Sequence, residues 1–256
     1  MAKSDKMASA PQIDGERLRL LNNGAIETAN LTECLAVDFA TLMRATLPEI
    51  GTKAINMLKQ ESQTGILKRM TVTGQLIYEH VGPATLPHLL NCPSDTVRGW
   101  GCFLIGSIET MSIEDRLDAI APLADDHHFG VREWAWMAVR RHIAADLQPS
   151  IDYLAEWADN PSERIRRFSS ESIRPRGVWC THIAALKQEP NLALPILEPL
   201  HADPAHYVQD SVGNWLNDAA KDQPNWVRSL CQRWLEEAPD NQSTTRIVRR
   251  ALRSLK

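Results

Sequence analysis

FGVREWA, residues 129–135, decides the fold of this chain, because four other stretches repeat its pattern at a regular spacing. The pattern has Val or Ile at its third place, and an arginine or glutamine follows in most copies. The other copies are DTVRGWG (95–101), ERIRRFS (163–169), HYVQDSV (206–212) and TRIVRRA (245–251). The aligned Val and Ile residues stand 34, 34, 43 and 39 positions apart, which indicates an array of repeated structural units.

Each unit is predicted to be a pair of helices joined by a short turn. A turn-like segment precedes each of the first four copies, and an amphipathic stretch precedes each turn. In SIEDRLDAIAPLA (112–124), apolar residues recur on one helical face at Ile113, Leu117, Ile120 and Leu123. No strand-like alternation competes with this pattern. The unit resembles the HEAT-type repeat, so we predict an all-α fold, an α-solenoid (superhelix) of HEAT-like helix pairs with a concave groove.

The repeats are clear only in the later part of the chain, at about residues 91–256. Residues from about 31 to 90 are helical by pattern but fit the repeat poorly, and we expect them to form an N-terminal helical cap that packs on its first turn. Residues 1–15 have the composition of a flexible tail, which leaves 16–256 as a single HEAT-like repeat domain.

Composition limits the classes of function that the chain can have. With 256 residues, a formal net charge of −4 and a pI of about 6.1, the protein is not basic all over. A basic stripe on an acidic body would still suit a nucleic-acid binder. The five cysteines are widely spaced and form no CxxC pair or Cys/His ligand pattern, so neither a disulfide framework nor a zinc site is expected.

Several sequence signals are absent, and their absence excludes whole classes of protein. No secretory signal or long apolar run occurs, so we expect a cytoplasmic protein of a bacterial-type cytosol or nucleoid, with no membrane partner. The chain lacks a P-loop, a dinucleotide fingerprint, a GxSxG elbow and the zinc-deaminase pattern. His127 and His128 lie in a predicted turn and are interpreted as cap or surface residues. Any chemistry is expected to use carboxylates, arginines and aromatic side chains, with no cofactor and no metal.

Equivalent positions in successive repeats line up along one face of a solenoid. Two places after the aligned Val or Ile, the chain has Gly99, Glu133, Arg167, Asp210 and Arg249. Glu171 follows Arg167 by one helical turn and so shares its face. We therefore predict that the carboxylates of Glu133, Glu171 and Asp210 face the groove with arginines beside them.

The arginines directly after the aligned position, Arg98, Arg132 and Arg166, are interpreted differently, as a ladder that holds neighbouring repeats in register. Four tryptophans lie in or beside the second helices, near the carboxylates: Trp134, Trp136, Trp179 and Trp215. Each one alone is as well explained by core packing as by contact with a ligand. Their clustering near one row of charges favours an aromatic wall in the groove.

Positive charge concentrates in two clusters, one within SERIRRFSSESIRPRGVW (162–179) and one in the final helix. The arginines in these clusters that are predicted to bind phosphate are Arg164, Arg167, Arg174, Arg176, Arg246, Arg249 and Arg250. A run of charge is usually a solvated helix face. Two clusters at repeat ends favour contacts with DNA phosphate, and the resulting affinity would depend strongly on salt.

SERIRRFSSESIRPRGVW, HYVQDSVGNWLNDAAKDQPNWV (206–227) and VREWAW (131–136) resemble the DNA alkylation repair glycosylases of the AlkC/AlkD superfamily, with a closer likeness to its AlkC branch. The resemblance covers roughly residues 90–256 and implies a fold of HEAT-like repeats. It implies that Arg167, Glu171 and Trp179 match an arginine–carboxylate–tryptophan group at the active site, and that Glu133 and Asp210 match two further acidic positions. Some AlkC-type proteins carry an additional immunoglobulin-like domain, and we expect none after the last repeat here.

The resemblance implies a monofunctional DNA glycosylase of the 3-methyladenine type, acting on double-stranded DNA that contains alkylated bases. Its substrates would be positively charged N-alkylated bases such as 3-methyladenine, with 3-methylcytosine as a further candidate, released by hydrolysis of the N-glycosidic bond in base excision repair. A carboxylate would stabilise the cationic sugar and position water, with Glu171 as the first choice and Glu133 and Asp210 as partners. We expect the protein to act as a monomer.

Two other functions stay open at this point. A non-catalytic HEAT-repeat binder of damaged or branched DNA would explain the basic clusters but not three groove carboxylates, which repel phosphate. A protein–protein scaffold would agree with the net charge but not with the clustered arginines. The fold alone does not choose among these functions, because function depends on the site.

Overall fold

The computed structural model describes residues 13–177 and 179–255, and within them the chain forms sixteen α-helices, three short 3-10 helices and no strand. The α-helices are α1 (Gly15–Asn22), α2 (Leu31–Ala36), α3 (Phe39–Thr46), α4 (Gly51–Gln60), α5 (Ile66–His80), α6 (Leu86–Leu90), α7 (Asp95–Ser107), α8 (Ile113–Ala124), α9 (Phe129–Ala145), α10 (Leu147–Trp157), α11 (Glu163–Glu171), α12 (Ala184–Gln188), α13 (Leu194–Leu197), α14 (His206–Ala219), α15 (Pro224–Glu237) and α16 (Gln242–Ala251). The 3-10 helices are Pro48–Ile50, Pro83–Thr85 and Pro190–Ala193. Of the tail predicted at 1–15, residues 1–12 lie outside the described residues, and Gly15 already begins α1.

The helices form an inner and an outer layer. Helices α5, α7 and α9 pack side by side, and α11, α14 and α16 continue the inner layer, with α8, α10, α13 and α15 behind them. All five aligned residues lie in inner helices with at most 5% of their surface exposed: Val97, Val131, Ile165, Val208 and Ile247. The predicted all-α solenoid of helix pairs is confirmed. None of the described helices has both the length and the apolar character that a bilayer span requires.

The arginine directly after the aligned residue links one turn of the array to the next. Arg98 donates to two carbonyl oxygens of the turn before its own helix and, from Nε over 2.7 Å, to Asp126 in the following turn. Arg166 repeats the arrangement, with an Nε–Oδ2 distance of 2.6 Å to Asp203. Arg132 makes the same pair of carbonyl contacts. Arg98 and Arg166 thus form the predicted ladder between neighbouring repeats. Arg132 has no acidic partner in the next turn and donates instead from Nε to the Tyr207 hydroxyl at 3.2 Å.

The segment before α2 is tied to the array through a buried carboxylate. Asp95 is 1% exposed and accepts hydrogen bonds from the backbone nitrogen and the hydroxyl of Thr28, at 2.9 and 2.7 Å. His128 caps α9 by accepting from the backbone nitrogen of Gly130, and its Nε2 lies 2.7 Å from the carbonyl oxygen of Thr28. The cap role predicted for His128 is therefore confirmed. Because buried polar groups need partners, these bonds determine where α2 lies relative to α9.

Two glycines let the inner helices approach one another closely. A Cβ atom added to Gly74 of α5 would stand 2.4 Å from the carbonyl carbon of Phe103 in α7. One added to Gly106 of α7 would stand 2.7 Å from the carbonyl oxygen of Ala138 in α9. Backbone atoms cannot rotate away from such a clash, so these two positions determine the spacing of α5, α7 and α9.

We expect Gly74→Ala to destabilise the protein, because the new methyl group must push α5 away from α7. Overpacking of this kind costs on the order of 1–3 kcal/mol. Gly15→Ala is the matched control, since nothing lies within 4 Å of a Cβ atom added there. Urea unfolding measures both variants, and equal midpoints for the two would contradict the close approach of the helices.

Candidate active site

A pocket of about 430 Å³ opens where the inner helices α9, α11 and α14 meet. The three carboxylates predicted to face the groove all line it, and each comes from a different helix: Glu133, Glu171 and Asp210. Helix α2 contributes Leu31 to the lining, and α16 contributes Arg250. The pocket therefore combines residues from the repeats with one helix from the N-terminal part of the chain.

Glu171 is the last residue of α11 and is 5% exposed. Its Oε1 accepts a hydrogen bond from Arg174 at 2.8 Å, and its Oε2 accepts one from the Ser211 hydroxyl at 2.7 Å. Arg167 Nη2 lies 3.6 Å from that second oxygen. A carboxylate is disfavoured at a helix C-terminus, where unpaired carbonyl groups concentrate negative charge. Two guanidinium groups and a hydroxyl offset this field and the loss of hydration.

The arginines determine the protonation state of Glu171. Burial by itself raises the pKa of this carboxyl, but attraction to Arg167 and Arg174, with hydrogen bonds from Arg174 and Ser211, brings the pKa below its ordinary value. Burial likewise opposes the charged form of both guanidinium groups, yet the neighbouring carboxylates raise the pKa of each arginine. Glu171 is therefore an ionised carboxylate at neutral pH and can only accept hydrogen bonds.

Glu133 keeps 35% of its side chain exposed and faces the open part of the pocket. Its Oε1 lies 2.8 Å from Nη1 of Arg167, and its Oε2 accepts a hydrogen bond from the indole of Trp136 at 2.8 Å. The Arg167 guanidinium also lies 4.8 Å above the ring centroid of Tyr207. The buried guanidinium of Arg167 therefore neutralises charge on two carboxylates, Glu133 on α9 and Glu171 on α11.

Asp210 forms ion pairs with two arginines of α16, Arg246 and Arg250. Its Oδ1 lies 2.6 Å from Nη2 of Arg246 and 3.2 Å from Nη1 of Arg250. Arg250 also donates from Nε to Asn214 at 2.9 Å. The Asp210 side chain is 38% exposed, far more than that of Glu171, although Oδ1, the atom in both ion pairs, is buried. Each pocket carboxylate thus has an arginine partner, and the pocket is less negative than its three acids alone would make it.

Three of the four predicted tryptophans line the pocket. Trp134 and Trp136 are buried in its wall, and Trp179 is 63% exposed at its edge. Trp215 is fully buried, and its indole nitrogen donates to a backbone carbonyl. The prediction that Trp215 belongs to the aromatic wall is wrong. It stands five residues after Asp210, which turns it roughly 140° around the helix and into the core.

Trp179 stands on an irregular segment that follows α11. Its φ of 59° is a left-handed conformation, which costs a residue with a Cβ atom roughly 1–2 kcal/mol. Arg140 of α9 is 3% exposed and holds this segment by donating to the carbonyl oxygens of Ser172, Arg174 and Thr181. The position of Trp179 at the pocket edge therefore depends on a buried guanidinium in the neighbouring helix.

The arginines predicted to bind phosphate fall into two groups. Arg167 and Arg174 are 8% and 9% exposed, and each lies against two carboxylates. The phosphate role predicted for these two is wrong, because their buried charge is already balanced within the protein. The others keep part of the side chain accessible, and DNA contact stays a prediction for them: Arg164, Arg176, Arg246, Arg249 and Arg250.

Several lining residues of the pocket were not predicted from the sequence. Tyr207 and Ser211 flank Asp210 in HYVQDSV, and the same-face rule for residues three apart could have found Tyr207. Leu31 and Cys34 lie in α2, outside the repeats, and no local signal connects them with the carboxylates. Only the packing of the N-terminal part on α9 brings them to the pocket.

One group of side chains in the described residues has the spacing of a metal site. Ligand atoms of Glu27, Asp126 and His127 all lie within 4.8 Å of one another. Arg98 donates to both carboxylates, and His127 Nε2 lies 2.7 Å from Glu27 Oε1. A guanidinium thus already neutralises the acids, so the group is an ion-pair cluster at one end of the arginine ladder.

Glu171 should stabilise the protein only while it is ionised. Its pKa is lowered in the folded state, so the folded protein binds this proton less tightly than the unfolded chain does. The contribution is complete above the ordinary pKa of 4.5 and is lost as the pH falls through the lower folded value. We expect the wild-type Tm to fall more steeply than that of Glu171→Gln as the pH is lowered below 4.5.

At neutral pH the same variant should lose up to about 3 kcal/mol of stability, because Arg167 and Arg174 each lose one partner and keep another. Glu163→Gln is the control, since Glu163 begins the same helix and is exposed. Parallel Tm curves for the wild type and Glu171→Gln would contradict an ionised, arginine-bound carboxylate.

Comparisons with known proteins place this chain beside proteins of DNA alkylation repair. Residues 130–255 match the family model described as DNA alkylation repair enzyme. The uncharacterized protein YhaZ of Bacillus subtilis (strain 168) is 39% identical over 118 residues, which make up 46% of this chain and 32% of YhaZ. The matched region thus spans about a third of that curated relative.

Solved structures show the same architecture. The alkylpurine DNA glycosylase AlkC of Pseudomonas fluorescens, bound to DNA containing an abasic site analog, matches with a TM-score of 0.70 and 28% identity, over 93% of this chain and 64% of AlkC. AlkD2 of Streptococcus mutans matches in fold with a TM-score of 0.62 and 20% identity, over 78% of this chain and 96% of AlkD2. The region matched by the family model contains all three pocket carboxylates. Residues 130–255, just under half of the chain, are thus similar to the DNA alkylation repair enzyme family.

Proposed function

We propose that the protein is a DNA glycosylase that removes positively charged N-alkylated bases, such as 3-methyladenine and 3-methylcytosine, from double-stranded DNA. The observation that carries the proposal is the convergence of Glu133, Glu171 and Asp210 on one pocket with tryptophans in its wall. The family of residues 130–255 and the likeness to an alkylpurine DNA glycosylase solved on DNA support the same activity.

A pocket of ionised carboxylates suits the proposed reaction. N-alkylation gives the base a positive charge and makes it a good leaving group. Breaking the glycosidic bond then develops positive charge on the sugar, as in glycoside hydrolysis. Groups that are charged and oriented before the substrate arrives stabilise this charge without reorganisation. Glu171 meets that condition, because two arginines and a serine hold it in place as an anion.

The carboxylates differ in what they can contribute. Glu171 is buried and both of its oxygens accept hydrogen bonds, so it supplies a fixed negative charge rather than accepting a proton. Glu133 is more exposed, and Arg167 and Trp136 orient its two oxygens, so it is the better candidate for positioning the attacking water. Asp210 faces the same pocket from α14, and its charge is offset there by Arg246 and Arg250.

Water is the proposed nucleophile. Among the described residues that line the pocket there is no lysine, so the pocket offers no amine for a covalent Schiff-base step. Trp179 is 63% exposed at the pocket edge, so its ring face can attract a cationic base, whereas Trp134 and Trp136 are buried in the wall. These features fit a monofunctional glycosylase that hydrolyses the bond.

Base release from methylated duplex DNA tests the proposal, with 3-methyladenine and 3-methylcytosine measured separately. We expect release by the wild-type protein in the presence of EDTA. In Glu171→Gln we expect a rate reduced by about 100-fold or more, because a preorganised charge near the transition state is lost. Single-turnover rates with the protein in excess over DNA separate this effect from weaker binding.

Two controls keep the result interpretable. Glu163→Gln makes the same substitution at the exposed start of α11 and should leave release unchanged. A thermal melt of each variant shows that loss of activity is not loss of folded protein. If the folded wild type releases no base but binds duplex DNA in a salt-dependent way, the protein is a non-catalytic DNA binder and the proposal is wrong.

A further inference from the structure

A second depression, of about 240 Å³, lies beside the pocket at the end of the array. Its lining consists of four arginines from α16 and the residues after it: Arg246, Arg249, Arg250 and Arg253. Arg250 lines both this depression and the carboxylate pocket, so its side chain stands in the wall between them. Arg246 reaches from the depression to Asp210, which belongs to the pocket.

Positive charge in the depression is only partly balanced. Asp210 is shared by Arg246 and Arg250, whereas no carboxylate of the described residues lies within 4.0 Å of the guanidinium of Arg249 or Arg253. Burial and repulsion by Arg250 lower the pKa of Arg253, as expected where like charges are crowded. Such a surface attracts a compact anion, and a DNA phosphodiester is the anion that the proposed substrate brings.

Arg250 reaches Asp210 along a path that a glycine leaves open. Its stem crosses α14 at Gly213, where an added Cβ atom would lie 2.8 Å from the Arg250 Cβ and 2.9 Å from its Cδ. The guanidinium then donates to Asn214 at 2.9 Å and lies 3.2 Å from Asp210. The side chains of Arg250 and Arg246 are 38% and 29% exposed, so a solvent-borne anion can reach these arginines, although the Asp210 oxygen that they share is buried.

We propose that a DNA phosphate and Asp210 compete for the guanidinium groups of Arg246 and Arg250, so that seating of the DNA backbone on the depression uncovers the Asp210 carboxylate in the pocket. In the free protein both arginines shield Asp210, which would weaken its attraction for a cationic base. A phosphate in the depression is attracted by Arg249 and Arg253 as well. This attraction favours the exchange in which Arg246 and Arg250 leave Asp210 and pair with the phosphate. Arg246 and Arg250 are therefore positioning residues, and they make the full negative charge of the pocket depend on bound DNA.

The role of the uncovered carboxylate rests on the proposed function, but the competition itself requires only DNA binding. Thermodynamic linkage makes the competition reciprocal. If bound phosphate weakens the ion pairs of Arg246 and Arg250 with Asp210, then Asp210 must weaken the binding of phosphate. Removing the Asp210 charge should therefore tighten the binding of DNA that contains no damaged base. This effect can be measured without any base release.

The test is the Kd for an undamaged duplex at fixed salt, measured by fluorescence anisotropy for the wild type and Asp210→Asn. We expect Asp210→Asn to bind about 5-fold tighter or more, the usual lower range for coupling between two sites. Glu133→Gln is the matched control. It removes the same charge from the same pocket at similar exposure, but its arginine partner, Arg167, is only 8% exposed and cannot turn to phosphate.

A double-mutant cycle makes the test specific. In an Arg246→Gln, Arg250→Gln background, the gain from Asp210→Asn should disappear, because the groups for which Asp210 and phosphate compete are absent. An unchanged Kd for Asp210→Asn, or an equal gain for Glu133→Gln, would overturn the proposal. An equal gain in DNA affinity for the two variants would mean that loss of either negative charge simply reduces repulsion of the DNA. If the competition is observed while the wild type releases no alkylated base, the inference stands and the proposed glycosylase activity fails.

Discussion

The register of the repeats depends on two arginines, Arg98 and Arg166, that directly follow an aligned Val or Ile. Arg98 and Arg166 each join the turn before their own helix to an acid in the next turn, Asp126 or Asp203. Neighbouring repeats cannot slide past one another without separating such a pair, which would leave an uncompensated charge in a poorly solvated place. Because the register is held this way, α9, α11 and α14 bring equivalent positions to one pocket.

Charge compensation explains how an acidic chain keeps three carboxylates close together. Arg167 lies between Glu133 and Glu171, and the repulsion between the two acids is replaced by attraction to one shared cation. The degree of burial then separates the roles of the acids. Glu171 is held inside the protein as a permanent anion, whereas Asp210 is paired at the surface with arginines that a phosphate can reach. The carboxylates of the resulting pocket suit a cationic ligand, and the accessible arginines around it suit the phosphates of a DNA backbone.

The repeat spacing was sufficient to predict the pocket carboxylates. The position two places after the aligned residue identifies Glu133 and Asp210, and the helical turn after Arg167 identifies Glu171. The same rule misassigned the last copy, where Arg249 is exposed to solvent and the following residue, Arg250, faces the pocket. A shift of one residue turns a side chain by about 100° around a helix. Small irregularities at the end of an array therefore change which arginine faces the pocket.

By itself, the sequence determined that the chain forms helix pairs, how they repeat and which acids share a face, because apolar periodicity and repeat spacing are local properties of the chain. Only the tertiary structure decided which arginines are neutralised and which remain accessible. That distinction depends on distances between residues far apart in the chain, such as Arg174 and Asp218 or Asp210 and Arg250. It also depends on burial, which makes an ion pair permanent inside the protein and exchangeable at its surface.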